Sequence, residues 1–326
     1  MTGTLKLACL FPSIGSAMID LHTHSTASDG SFSPSLLMEE AAKRGISTVA
    51  LTDHDTAAGL EEASLAARKL GIRFIPGIEL EIIRNEGRAS ADLRSGQELA
   101  AEQNPAAGPG GEFHLLGLGI NQPSPDFKSA VDELARRREE RNIEIVDKMN
   151  KAGIAVSYGE IKAIAAGNEP DNQAHSVGRP HFASFLVERK IVRNMEQAFE
   201  RYLAHGKPFY IPKTGLEFEH AARVIKESGG IAVLAHPMSL YVAWGRLPAL
   251  VESLKERGLD GLEAWHPTAK VTACKRLEAL GKKLGLCITA GSDFHGDSRR
   301  DRKLGITAGG KKIDDSFLEA LSRIMS

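Results

Sequence analysis

Seven short apolar runs punctuate the chain, at residues 18–22, 47–55, 72–80, 112–120, 229–237, 259–267 and 285–296, and segments of helical periodicity separate most of them. Strand and helix in alternation predict an α/β protein built on parallel strands, because a parallel pair needs a long crossover and a helix is the usual one. A closed barrel and an open doubly wound sheet both satisfy the pattern. The punctuation agrees with it. Ser33 followed by Pro34 predicts a helix start, Gly45 its stop, and a second helix follows over 57–70. The alternation fails once. Residues 127–153 read as one long helix, with apolar positions every three or four residues and Gly153 as its stop, and helical pattern continues beyond. We read 124–215 as an inserted helical subdomain, within a main domain formed by 18–123 and 216–326.

What the runs end in is more telling than the runs themselves. The first closes on His22 and His24 in "DLHTHS", with Asp29 in its loop, and in an extended strand both imidazoles point to one side. The second closes on His54 in "TDHD", the third on Glu79, the fourth on His114, the fifth on His236, the sixth on Glu263 and His266, and the seventh on Asp293 and His295. Of the 11 histidines only His175, His181, His205 and His220 lie elsewhere. So many imidazoles and carboxylates at strand ends have too few partners to be buried without a cation, and neutral imidazole with carboxylate is a metal-ligand chemistry. In strand–helix barrels the C-terminal rim is also where active sites are built.

Composition narrows the partners. A net charge of −1 rules out a broad surface for coating polyanions, so phosphate contacts are local. Cys9, Cys274 and Cys287 have no metal or redox spacing, which fits a reducing, cytoplasmic setting. The opening 17 residues carry one basic residue, Lys6, and an apolar stretch broken by Pro12 and Gly15, so we read them as an N-terminal extension rather than a secretion signal. No apolar run is long enough to span a bilayer, so no membrane partner is expected, and no obligate protein partner is implied. Residues 84–111, rich in Gly, Ala, Glu, Gln and Pro, read as a mobile surface insertion that proteases should cut first.

In order along the chain, "DLHTHSTASDG", "ALTDHDT", "PGIE", "FHLLG", "LAHP" and "GSDFHG" resemble the motifs of the PHP (polymerase and histidinol phosphatase) superfamily. Within it the insertion, "VGRPHFASFLVERK" to "AFERYLAHGKPFYIP", is similar to that of stand-alone phosphoesterases, the group of nucleoside 3′,5′-bisphosphate phosphatases and a 5′→3′ exoribonuclease. The resemblance implies a distorted seven-stranded (β/α) barrel holding two or three divalent ions. By motif, one ion takes His22, His24, Glu79 and Asp293. A second shares Glu79 and adds His114 and His236, and a third takes Asp29, His54 and His295. Two features depart from the pattern: residues 84–111 lengthen the loop before His114, and Glu81 stands where a small hydroxyl residue is usual.

Such a ligand set suits manganese, iron or zinc better than calcium, and clustered ions activate water for in-line displacement at phosphorus, with a bridging hydroxide as nucleophile. The expected activity is therefore hydrolysis of a phosphate ester of a small nucleotide, a nucleoside 3′,5′-bisphosphate, or a short RNA 5′ end. Asp293 is expected in the catalytic machinery, and His266 as general acid or substrate contact, with a ligand role as the alternative. Arg137, Arg138 and Arg141 on the long helix, with Arg179 and His181 in "GRPH", are candidates for gripping phosphate. Competing readings are an amidohydrolase-like metal hydrolase, which commonly carries a bridging lysine that no strand end here supplies, a histidinol-phosphatase-type phosphomonoesterase, and a non-catalytic metal- or nucleic-acid-binding module.

Overall fold

The apolar runs become seven strands of one sheet, neighbours in chain order: β1 (Met18–Thr23), β2 (Ile46–Leu51), β3 (Arg73–Glu81), β4 (His114–Leu118), β5 (Ile231–Leu234), β6 (Gly261–Trp265) and β7 (Cys287–Ala290). The computed structural model describes residues 17–83, 111–166, 176–212 and 214–322. The readings of the opening extension and of the 84–111 insertion thus fall almost entirely outside the described residues.

The sheet is parallel within β1–β2–β3 and within β5–β6–β7, but β4 runs antiparallel to both its neighbours, against the all-parallel expectation. The reversal has a chemical consequence. His114 is the first residue of β4, and antiparallel pairing sets it opposite Glu81, the last residue of β3. A parallel β4 would have put His114 at the wrong end of the sheet. The ring then closes on the same rim: the His24 N–H donates to Phe294 O at 2.9 Å, the Asp293 N–H donates to His22 O at 2.9 Å, and Thr23 pairs with Phe294. The result is a distorted seven-stranded α/β barrel.

Strands β4 to β7 are buried along their whole length, as expected where both faces are covered. Helices α1 (Pro34–Lys43) and α2 (Leu60–Leu70) set Leu37, Met38, Ala41, Ala63 and Ala67 against Ile46, Val49 and Leu51. Ser33 caps α1 as the sequence predicts, its Oγ accepting from the Leu36 N–H at 3.2 Å. Each fully buried Leu or Phe side chain contributes about 1.5–3 kcal/mol.

The long helix α3 (Pro125–Lys151) is capped by Ser124 and spans two cores. Phe127, Ala130 and Leu134 belong to the barrel core, whereas Ile145, Val146 and Met149 join a second cluster with Phe182, Phe185, Leu186, Leu203 and Phe209. That second cluster is built by α3, α4 (Tyr158–Ala166), α5 (Arg179–Glu188), α6 (Met195–Ala198) and the π-helical turn Phe199–Leu203. Between its two packed halves, α3 carries Arg137, Arg138 and Arg141 across the rim. Among the described residues, no helix is long and apolar enough to cross a membrane.

Candidate metal centre

All nine residues singled out at the strand ends converge on the closed rim. The alternation of β1 brings His22 Nε2 and His24 Nε2 to 3.1 Å of each other. Glu79 lies at the centre. Its Oε2 is 3.3 Å from both of those nitrogens and 3.1 Å from His54 Nδ1, and its Oε1 is 2.8 Å from His114 Nδ1 and 2.9 Å from His236 Nε2. Asp293 Oδ1 stands 3.5 Å from His22 Nε2 and 3.3 Å from His24 Nε2. Asp29 Oδ1 reaches His295 Nε2 at 3.2 Å and His54 Nε2 at 3.9 Å. Three sets have donor atoms within 4.8 Å of one another: His22, His24, Glu79 and Asp293; His24, Asp29, His54 and His295; His54, Glu79 and His114.

The backbone is bent to make this possible. His236 and Asp293 have φ of +26° and +51°, in the region that L side chains rarely occupy, and such strain concentrates at functional sites. Gly291 is required by contact, since a Cβ there would lie 2.2 Å from the Cβ of His22.

The electrostatics fit a cation. Buried His24 Nδ1, Glu79 Oε2 and His295 Nε2 have no aligned hydrogen-bond partner, a costly condition that a positive ion relieves. Burial alone would depress the imidazoles. The charges of Glu263, Glu79 and Asp293 outweigh it and hold His22 well above its usual range, and contacts with Asp293 and Glu79 push His24 up to about 9. The same pairing overrides burial in the other direction for Glu79 and Asp293, whose carboxyls lie well below their usual range. His54 goes the other way, drawn down by burial. Without a cation, the cluster balances its carboxylates with protons.

A second ring of groups holds the first in place. Glu263 Oε1 meets His22 Nδ1 at 2.9 Å, and its Oε2 accepts the His236 N–H at 2.7 Å. Asp53 accepts from Ser25 N–H, Ser25 Oγ and Ser28 Oγ at 2.7, 2.7 and 2.6 Å, fixing the loop that carries Asp29. Asp20 accepts backbone N–H groups of His22, Ser292 and Gly305, and burial raises its carboxyl to about 6. Glu81, the departure from the family pattern, takes His114 Nε2 at 2.9 Å and so leaves Nδ1 facing Glu79. Asp53 and Glu263 sit at strand ends and were visible as candidates; Asp20 carried no signal, because only the tertiary fold brings residues 292 and 305 to it.

A profile of the family described as the PHP domain matches residues 20–236, which hold seven of the nine clustered residues. This chain belongs to the PHP family. A 5′-3′ exoribonuclease of Haemophilus influenzae is 34% identical to it over 276 residues, 85% of this chain and 89% of that protein. A 3′,5′-nucleoside bisphosphate phosphatase of Chromobacterium violaceum is 30% identical over 291 residues, 89% of this chain and 92% of that protein. A solved structure from Chromobacterium violaceum, described as an amidohydrolase with bound sulfate and no metal, superposes with a TM-score of 0.74 at 28% identity. It covers 94% of this chain and 97% of its own.

The PHP cluster opens into a cavity of about 480 Å³, within the range of small-molecule sites. Its far wall carries Arg137, Arg138, Arg141 and Arg179, but these arginines are not equivalent. Arg138 is committed to structure, bonding Asp55 and Ser176 side chains and His54 O. Arg137 is engaged with Glu133 Oε1 at 2.7 Å and Gly215 O at 3.0 Å. Arg141 has a buried Nε with no partner and one contact, 3.2 Å, to Asn142 Oδ1; burial and the charges of Arg138 and Arg179 lower it to about 10. Arg179 lies over the Tyr210 ring and makes a long 3.5 Å contact to Leu203 O.

His181 does not line the cavity: three residues into its helix, its Nδ1 turns back to accept the Gly178 N–H at 2.9 Å. Two further residues line the barrel side. His266 Nε2 is 3.2 Å from Asp293 Oδ2, and Arg302, 5% exposed and absent from the sequence reading, donates to that oxygen at 2.9 Å.

Proposed function

We propose that this protein is a metal-dependent phosphoesterase, a phosphoric ester hydrolase acting on a nucleoside 3′,5′-bisphosphate or on the phosphorylated 5′ end of a short RNA. The observation that carries the reading is the meeting, in one cavity, of the nine-residue imidazole–carboxylate cluster with arginines that have no carboxylate of their own. The relatives' names point the same way, one to a 5′-3′ exoribonuclease and one to a 3′,5′-nucleoside bisphosphate phosphatase. An amidohydrolase reading lacks its lysine: among the described residues, none lines the cavity.

His22, His24, Glu79 and Asp293 would hold one divalent ion, Glu79 with His114 and His236 a second, and Asp29, His54 and His295 a third; manganese, iron and zinc all suit this donor set. Bound there, such ions supply positive charge for the phosphoryl oxygens and lower the pKa of water. The protein's own groups do the rest. Glu263 and Glu81 orient His22 and His114 through their outer nitrogens. The Thr268 hydroxyl holds His266 Nδ1 at 2.6 Å, and Nε2 faces Asp293 Oδ2 at 3.2 Å and the Arg302 guanidinium at 3.1 Å, so the ring is fixed with Nε2 towards the cluster. We assign His266 to the leaving oxygen and Arg302 to the charge that develops on the phosphoryl group. Arg141 and Arg179, on the insertion 124–215, take the second phosphate. That grip orients the scissile one by binding energy from a non-reacting part of the substrate. Buried free thiols at Cys274 and Cys287 accord with a cytoplasmic setting.

The test is release by manganese-loaded protein of phosphate from a nucleoside 3′,5′-bisphosphate and from histidinol phosphate, and of 5′-mononucleotide from 5′-phosphorylated RNA, measured side by side with and without chelator. The reading predicts release from the bisphosphate or the RNA, abolished by chelation. Preference for histidinol phosphate, or release from none, contradicts it.

A further inference from the structure

We propose that the ring of Tyr241 is the stacking platform for the base of a nucleotide bound in the cavity. The inference rests on the phosphoesterase reading and concerns the part of the substrate that neither the ligand cluster nor the arginines would touch.

Tyr241 lines the cavity and is 61% exposed, the most exposed large apolar side chain among the described residues. Its surroundings make that unusual. Leu240 before it is buried, and Met238, Val242 and Trp244 pack against the barrel core. Phe199, the other aromatic on the cavity wall, packs against the second core. Tyr241 belongs to neither core. Its φ of +52° is a conformation that L side chains rarely adopt, and it departs from the helical turn Pro237–Leu240 at that point. A bulky residue held in that conformation, with its ring in solvent beside a charged cavity, points to an occupant that covers the ring.

The support beneath the ring is firm although the ring is free. The Tyr241 N–H donates to Met238 O, Ser239 Oγ donates to Glu112 O at 3.1 Å, and the Glu112 N–H donates to Ser239 O at 3.0 Å. The turn begins at His236, whose Nε2 touches Glu79, so the ring is tied through five residues to the metal cluster. The rest of the wall is dominated by charged and polar groups suited to phosphate and sugar hydroxyls. A flat apolar face is what remains to be matched, and a nucleobase has one. Aromatic–base stacking is tolerant of base identity, so such a platform would accept any of the bases.

The experiment measures binding by the manganese-loaded full chain of two phosphonate analogues, which a phosphoesterase does not cleave. One mimics adenosine 5′-phosphate and the other ribose 5-phosphate. The unaltered protein should bind the adenosine analogue more tightly. Tyr241→Ala should lower the ratio of the two affinities five- to hundred-fold, and Tyr241→Phe should retain it. An unaltered protein that binds both equally, or a ratio that Tyr241→Ala leaves in place, overturns the platform. Failure of the phosphoesterase reading looks different: the ratio changes as stated while no phosphoester is hydrolysed.

Discussion

Two arginines one helical turn apart should fail in opposite ways. Arg138 is 14% exposed and paired with Asp55, itself 13% exposed, so Arg138→Met strands a nearly buried carboxylate. Breaking such a pair from one side costs about 3–5 kcal/mol, enough to lower the melting temperature by several degrees. Arg141→Met strands nothing. Its Nε has no partner, its one hydrogen bond goes to the neighbouring Asn142, and Arg138 and Arg179 already repel it. The melting temperature should therefore hold or rise. The loss should fall on substrate instead: one guanidinium–phosphate contact contributes about 1.5–3 kcal/mol, or roughly ten- to hundred-fold in kcat/KM. The assay compares a nucleoside 3′,5′-bisphosphate with p-nitrophenyl phosphate, which has no second phosphate, alongside thermal melts and metal content. If Arg141→Met lowers both activities equally with metal retained, or destabilises the fold as Arg138→Met does, the second-phosphate assignment is wrong.

Glu263→Gln keeps a side chain able to accept the His236 N–H but removes the carboxylate behind His22. Metal affinity, read by competition with a chelating dye, should fall ten- to hundred-fold in a chain that remains folded, and an unchanged affinity would sink the orienting role. The metal-free protein should respond to pH through the cluster. Folding raises His24 from its ordinary 6.5 to about 9, so its contribution is fully present below 6.5 and lost as pH climbs towards 9. Thermal melts of chelated protein should thus weaken across that window. Manganese should reverse the trend, since imidazole ligands must shed their protons to bind it; a flat profile with and without metal would count against the coupling.

The sequence made the strand-end residues legible because β geometry is simple: a period of two and a C-terminal rim suffice to group His22, His24, His54, Glu79, His236, Asp293 and His295. His114 was found by motif but placed by the wrong geometry, since nothing local distinguishes an antiparallel strand flanked by parallel ones. Arg302 and Asp20 could not be found at all. Their roles depend on partners such as Asp293 and Gly305 that only the closed barrel brings near. The arginine run was visible, but which of its members would be spent on Asp55 or Glu133 and which left to face the cavity depends on how α3 crosses the rim.

The central claim is that the nine convergent residues form a metal centre. Elemental analysis of the purified chain after manganese reconstitution and desalting tests it most directly. The account predicts two or three divalent ions per chain, with at least one lost when His22 and His24 are both changed to Ala. A chain that retains none, while still folded, would contradict it.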